Sequence, residues 1–270
     1  MRISCLVENT SRNGLPCEHG LSLHLALNDG RQLLFDMGQS DLFVRNAKTI
    51  GICLEQVDMA VLSHGHYDHG GGLPTFLSHN SRAKVFVREE AFQAHYSHRS
   101  EGLTYIGLPQ GFHSHPRCAY CSEYEEPMPG ITLFSGVGAN RCFPVGNRFL
   151  YGPDGKDTFG HEQSMLVTEG PYCVLFAGCA HSGIVNIMEK AADIIGRPPT
   201  HVVAGMHLKK SGMSQQEEVR FISMLAEELM RYPQTTYYTL HCTGTEVFRQ
   251  LKEIMKGQLH YLACGEQLVV

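Results

Sequence analysis

Three imidazoles and a carboxylate fall within six positions in the run Ser63-His64-Gly65-His66-Tyr67-Asp68-His69-Gly70-Gly71. Imidazole nitrogen and carboxylate oxygen are donors for zinc, manganese or iron, with bonds of roughly 2.0–2.2 Å to zinc. His64 and His66 are two apart, so an extended strand end points both to one side. Asp68 and His69 follow on a turn and can reach a second ion. The two glycines let the backbone close tightly where a helix begins. Two ions a few ångströms apart would lower the pKa of a shared water from 15.7 toward about 7 and polarise the bond it attacks. No serine or cysteine nucleophile is then required. A solvated histidine-rich loop would need neither the interposed aspartate nor the glycine pair.

The elements around the motif support this. Asp58–Ser63 reads as a short apolar strand, buried on both faces, and ligands in α/β sheets gather at the carboxyl ends of such strands. Residues 2–7, 21–27 and 31–35 read as strands, the last two joined by Asn28-Asp29-Gly30, a hairpin signal. Ser40 suits the N-cap of a helix through Lys48. A helix is expected at 73–78, a strand at 84–87 and a helix from Glu89 to Tyr96. Further strands are expected at 131–134, 164–168, 172–177, 201–204, 236–240 and 259–262. Helices are expected at 183–195, 214–230 and 245–256. Strands alternating with helices argue an α/β fold, and the hairpin argues partly antiparallel sheets. No linker interrupts the pattern, so residues 1–270 read as a single domain. Residues 98–130 lack a clear period and read as an insertion or lid loop within it.

Composition bounds the function. The 270 residues are 43% hydrophobic and 18% charged, which excludes a wholly disordered chain. Lys plus Arg number 22 against 27 for Asp plus Glu. A net charge of -5 lacks the broad electrostatic footprint of a nucleic-acid binder. No apolar stretch approaches the roughly 18–20 residues of a membrane helix, and the first residues lack a signal-peptide core. The expectation is a cytoplasmic protein, without nucleic-acid or membrane partners, that acts on a small molecule, alone or as a homo-oligomer. Its ten cysteines are then free thiols or ligands. Cys5, Cys53, Cys173 and Cys264 read as core residues. His113-Ser114-His115-Pro116-Arg117-Cys118-Ala119-Tyr120-Cys121 reads foremost as lid, with a further metal site or a redox pair as alternatives. Tyr105, Phe112 and Tyr120 are candidates to line substrate.

The His-x-His-x-Asp-His run after an apolar strand resembles the metallo-β-lactamase-fold hydrolases. Leu34-Phe35-Asp36-Met37-Gly38 and His241-Cys242-Thr243-Gly244 resemble the early Asp-x-Gly element and the late histidine of that superfamily. Four features are similar to its dihydropterin ribofuranosylaminobenzene phosphate synthase-like branch. They are Glu18-His19-Gly20-Leu21-Ser22, Gly178–Asn186, Met206-His207-Leu208 and the His-Cys-Thr-Gly run. The resemblance implies an αββα sandwich with two divalent metal ions, zinc foremost and manganese or iron as alternatives, at one edge between two mixed sheets. It implies that His64 and His66 bind one ion, that Asp68, His69 and His241 bind the other, and that Asp36 supports the loop from behind. His181 is the expected third ligand of the first ion, with His161 as its competitor. Cys179 stands where many relatives place a bridging aspartate. The implied reaction is hydrolysis, or phosphoryl or ester transfer, through a metal-activated hydroxide on a small anionic or phosphorylated ester. Asp68 would orient the hydroxide and His207 would protonate the leaving group. Glu18, His19, Lys209 and Lys210 are candidate substrate contacts. The alternatives are an iron-dependent oxidoreductase of the same fold and a non-catalytic metabolite-binding regulator.

Overall fold

The computed structural model describes residues 1–208 and 212–270. The chain opens with β1 (Arg2–Val7), β2 (Ser22–Ala26), β3 (Gln32–Phe35), α1 (Leu42–Thr49), β4 (Met59–Val61), α2 (Tyr67–Gly70), α3 (Leu73–His79) and β5 (Lys84–Val87). There follow β6 (Tyr96–Arg99), β7 (Gly102–Tyr105), β8 (Cys118–Tyr120), β9 (Tyr124–Met128), β10 (Ile131–Ser135), β11 (Leu150–Gly152) and β12 (Gly155–Lys156). The rest is β13 (Gln163–Glu169), β14 (Tyr172–Ala177), α4 (Ile184–Ile195), β15 (His201–Ala204), α5 (Gln215–Met230), β16 (Thr236–Thr239), α6 (Thr245–Met255), β17 (Leu259–Tyr261) and β18 (Gln267–Val269).

Two seven-stranded mixed sheets form the middle layers, in the orders β18-β1-β2-β3-β4-β5-β8 and β17-β16-β15-β14-β13-β10-β9. Period-two alternation decides which side chains go where. Leu33 and Phe35 point into the space between the sheets, whereas Leu34 joins the outer core under α1 and α3. On the other sheet Val174 and Phe176 point inward, and Cys173, Leu175 and Ala177 point out toward α4, α5 and α6. The rings of Phe35 and Phe176 meet across the gap at 5.9 Å. The layers are therefore helix, sheet, sheet, helix, as the resemblance implied. α5 is closed by a capping box, in which Ser214 and Glu217 satisfy each other's backbone N–H.

The hairpin expected at Asn28-Asp29-Gly30 joins β2 to β3, with Leu25 opposite Leu33. Ser40 Oγ accepts the Leu42 N–H at 3.1 Å and so caps α1 from one residue before its boundary. Two expectations change. Glu89–Phe92 is a single 3-10 turn followed by strand, not a helix to Tyr96. Aromatic and β-branched residues do not dominate that stretch, but pairing with β7 and β11 overrides its helical pattern. Residues 98–130 are likewise not one loop. They carry β7, β8 and β9 and give an edge strand to each main sheet, while β6, β7, β11 and β12 form a four-stranded flap beside them.

Candidate metal centre

The motif leaves β4 as an extended segment and turns at α2. Asp36, just past β3 at φ +59°, holds it from below. Asp36 Oδ1 accepts the Ser63 N–H at 2.7 Å. Its Oδ2 accepts Ser63 Oγ–H at 2.7 Å and His69 Nδ1–H at 2.6 Å. Ser63 Oγ in turn accepts His64 Nδ1–H at 2.8 Å. Gly178 must be glycine for this to fit, since a Cβ there would stand 2.1 Å from Ser63 Oγ.

The late histidines are held alike by two asparagines. Asn147 Oδ1 accepts His181 Nδ1–H at 2.8 Å, and its Nδ2 donates to the His181 carbonyl at 2.7 Å. Asn9 Oδ1 accepts His241 Nδ1–H at 2.9 Å, and its Nδ2 donates to the His241 carbonyl at 3.3 Å. Buried carboxylates tie down the backbone beneath each ring. Glu162 takes the N–H of His181 and of Ser182, and Glu8 takes the N–H of His241.

With Nδ1 committed as a donor in His64 and His181, the Nε2 atoms of these neutral rings carry lone pairs. The Nε2 atoms of His64, His66 and His181 are buried without a hydrogen-bond partner. Their rings stand 4.6–5.0 Å apart, centre to centre. Burial, reinforced by neighbouring imidazoles, holds all three well below the usual histidine pKa, so they are neutral donors. His69 Nε2 and His241 Nε2 face each other at 3.2 Å. Asp68 Oδ2 lies 3.3 Å from the latter and 3.1 Å from His19 Nε2. Burial would raise the Asp68 pKa, but His19 and His241 outweigh it and keep the group a carboxylate. Cys179 Sγ lies 3.2 Å from His69 Nε2 and within 4.8 Å of donor atoms of His64, His181 and His241. Lone pairs aimed at one another across a buried space are unfavourable unless a cation sits between them. The donor set therefore fits metal ions.

The sequence model of the metallo-β-lactamase superfamily matches residues 22–181, more than half of the chain. The chain belongs to the metallo-β-lactamase superfamily. It is 29% identical to the crystal structure of Tm1679, a metal-dependent hydrolase of the β-lactamase superfamily, at a TM-score of 0.84 over 100% of this chain and 99% of that one. An uncharacterised protein of Methanocaldococcus jannaschii is 29% identical over 93% of this chain and 94% of its own length. From the same organism, 7,8-dihydropterin-6-methyl-4-(β-D-ribofuranosyl)-aminobenzene-5'-phosphate synthase is 22% identical over 92% of this chain and 89% of its own.

Within this superfamily scaffold, His161 and His181 have different surroundings. His161 Nδ1 accepts the Gly65 N–H at 2.9 Å, so its proton is on Nε2, which donates to Asp157 Oδ2 at 3.1 Å. Both its nitrogens are spent, whereas His181 keeps a free Nε2. His95 Nδ1 meets the same Asp157 oxygen at 3.2 Å. Burial would raise the Asp157 pKa, but the two imidazoles carry it down instead.

A cavity of about 1020 Å³ opens over the donors. His19, Asp68, Cys179, His181, His207 and His241 line it from the centre. Tyr67, Ile106, Phe149 and Leu150 form apolar wall, and the end of β6 brings His98 and Arg99 to the cavity. His207 sits 4.3 Å from the His181 ring, with its Nδ1 buried and unpartnered.

Several expected contacts lie elsewhere. Glu18 is not a cavity residue, because its carboxylate is occupied by the N–H groups of Gln39 and Ser40 and by Ser40 Oγ. Tyr105, Phe112 and Tyr120 do not line the cavity. Tyr105 OH is turned to Leu108 O, and Tyr120 OH to His113 O. Cys118 and Cys121 join no group of metal donors among the described residues. Burial pushes the Cys121 thiol up to about 12, the reverse of a reactive thiol. His113 faces Glu89, and His115 Nδ1 accepts the Arg117 N–H. Cys53 is exposed, whereas Cys5, Cys173 and Cys264 are buried. Lys209 and Lys210 lie outside the described residues. No helix among the described residues is long and apolar enough to cross a membrane.

Glu8, Asn9, Asn147, Asp157, Glu162 and Cys242 were not anticipated. Glu8 alone had a signal, a charged residue directly after an apolar strand. The others are defined by contacts across more than sixty residues of chain or by loops with no pattern.

Proposed function

We propose that this chain is a metal-dependent hydrolase, or a phosphoryl or ester transferase, acting on a small anionic ester. The observation that carries the reading is the convergence of three buried Nε2 atoms without a partner, those of His64, His66 and His181, beside the Nε2 atoms of His69 and His241, 3.2 Å apart. His64, His66 and His181 would hold one divalent ion, and Asp68, His69 and His241 the other. Cys179 lies within reach of both sets and would add a soft sulfur donor, which favours zinc over harder ions. Ions held there would supply an activated water and polarise the bond under attack.

The chain's own residues do the rest. Asp68, fixed as a carboxylate by His19 and His241, orients the attacking water at Oδ2. His207, on the cavity floor beside His181, delivers a proton to the leaving group. The apolar wall excludes water from one side of the substrate. Arg99 lines the cavity and brings a positive charge to it, which supports an anionic substrate. The cavity is at the upper end of the roughly 300–1,000 Å³ of small-molecule sites.

Metal content per chain, measured by mass spectrometry on untagged protein purified without chelators, tests the reading first. About two equivalents are expected, followed by metal-dependent turnover in a panel of phosphomonoesters, phosphodiesters and thioesters. No metal, with no uptake on titration, would remove the catalytic reading. Two ions without turnover of any ester would leave metal binding and remove hydrolysis.

A further inference from the structure

Cys179 follows β14 and Cys242 follows β16, with β15 between them in the sheet. Neighbouring strands are about 4.7–4.9 Å apart, so residues flanking a central strand ordinarily stand twice that far apart. Here the two sulfurs come within 4.8 Å of each other. Gly205, the first residue after β15, leaves the gap that allows it. A Cβ at Gly205 would lie 2.5 Å from Cys242 Sγ and 3.5 Å from Cys179 Cα. The Gly205 N–H donates to Gly178 O at 2.8 Å, which ties the Cys179 loop to the gap. The Cys242 thiol donates to the Cys179 carbonyl at 3.7 Å, and the His207 N–H donates to Cys242 Sγ at 3.2 Å. Both cysteines are free and line the cavity over the metal donors, so a small oxidant entering with substrate reaches them.

We propose that Cys179 and Cys242 form a reversible oxidation site for hydrogen peroxide or a small hydroperoxide, closing to a disulfide that withdraws Cys179 from the metal donors. In the first step one sulfur attacks the peroxide. An S–O bond forms, the O–O bond breaks, and water (from hydrogen peroxide) or the alcohol (from a hydroperoxide) leaves, giving a sulfenic acid. In the second step the other thiol attacks that sulfur. The S–S bond forms, and the S–O bond breaks with loss of water. Two electrons and two protons pass from the thiols to the peroxide, and a dithiol reverses the change by thiol–disulfide exchange. Cys179 lies in the loop after β14 and Cys242 in the single 3-10 turn after β16, both beyond the strand ends, and a bond of about 2.05 Å requires the two segments to close together. The consequence for metal binding rests on the proposed role of Cys179 as a donor. The sulfur chemistry does not.

The test uses the whole protein, stripped of metal by a chelator and treated with a small excess of hydrogen peroxide. Thiols are counted after denaturation, and the digest is mapped without reduction. The ten free thiols of the chain should fall to eight, with one linked peptide pair joining Cys179 to Cys242. Dithiothreitol should restore ten. Cys242→Ser should give no linked pair. After oxidation the protein should take up one ion fewer than the reduced form. Ten remaining thiols, or a disulfide mapped to another pair such as Cys118 and Cys121, would overturn the proposal. A Cys179–Cys242 disulfide with undiminished metal uptake would overturn the gating while leaving the hydrolase reading intact. Reduced protein that binds no metal would instead remove the hydrolase reading, and the thiol count would still decide the oxidation site.

Discussion

The two donor sets of the centre are built by the same device from different chemistry. Each is completed by a late histidine whose Nδ1–H and carbonyl are gripped by one asparagine, Asn147 for His181 and Asn9 for His241. Each has a buried carboxylate under its backbone, Glu162 or Glu8. What differs is the company. His181 joins two imidazoles, so apart from the shared thiol of Cys179 the first set is all nitrogen. His241 joins an imidazole, a carboxylate and the nearby thiol of Cys179. Nitrogen donors suit zinc, copper, iron or nickel alike, whereas a mixed set discriminates by softness and charge. The difference teaches that orientation is standardised here, and that identity of the ion is left to the donors.

Removing a donor from either set should break the comparison most sharply. His181→Ala and His241→Ala are each expected to lose one metal equivalent and to lower turnover by about 10³-fold, several kcal/mol of transition-state stabilisation. Mass spectrometry would show which ion departs. Loss of both ions in both variants would mean that the sets are one cooperative site.

Acid separates the two sets in the metal-free protein. His64, His66 and His181 have folded pKa values below their unfolded value of about 6.5. The unfolded chain then binds more protons, so stability falls as pH drops below about 6.5, by about 1.4 kcal/mol per pH unit for each imidazole that stays neutral. In His69 burial alone would lower the pKa, but Asp36 outweighs it and raises it. Its contribution is therefore present below about 6.5 and lost as pH rises through the folded value. Urea unfolding of chelator-treated protein between pH 7.5 and 5.5 measures this. A flat profile would show that the first set is not held neutral.

The paired asparagines should act next in size. Asn147→Ala and Asn9→Ala each free a ring to rotate, and loss of such a partner typically costs 10–100-fold in metal affinity. Competition with a chromophoric chelator should show each variant weakening its own ion. Equal weakening of both ions by either variant would dissolve the distinction between the sets.

How much of this could be read from the chain depends on range. The His64–His69 cluster stands in a short run whose spacing itself carries the geometry, Asp36 and His241 were reached only through the resemblance to the superfamily, and the alternating elements pointed to an α/β fold. Glu18 was misplaced because its partners, Gln39 and Ser40, lie across a turn that composition does not encode. The lid expected at 98–130 became edge strands because strand pairing is non-local, and β8 joins β5 across thirty residues. Asn147 sits in a 3-10 turn without periodic signal, so nothing in the sequence ties it to His181.

The smallest expected effect concerns His161, whose proton sits on the nitrogen opposite to the one that carries it in His64 and His181. His161 accepts from Gly65 through Nδ1 and donates to Asp157 through Nε2. Gly65 lies between His64 and His66, and a Cβ there would strike Ala91 O at 2.5 Å and His95 Nε2 at 2.7 Å, so the loop is packed tightly against Ala91 and His95 as well. The second oxygen of Asp157 accepts the Phe159 N–H at 2.8 Å. In Asp157→Asn that bond keeps the amide oxygen in place and turns the NH₂ toward His161. The ring must then accept at Nε2, which moves its proton to Nδ1 and sets it against the Gly65 N–H. The His64–His66 loop should relax, and affinity for the first ion should fall by about tenfold, with the second unchanged. Asp157→Ala imposes no donor on His161, leaves its tautomer free, and should weaken the first ion less than Asp157→Asn does. If the alanine variant is the weaker of the two, packing rather than proton placement explains Asp157, and His161 positions the first set by bulk alone.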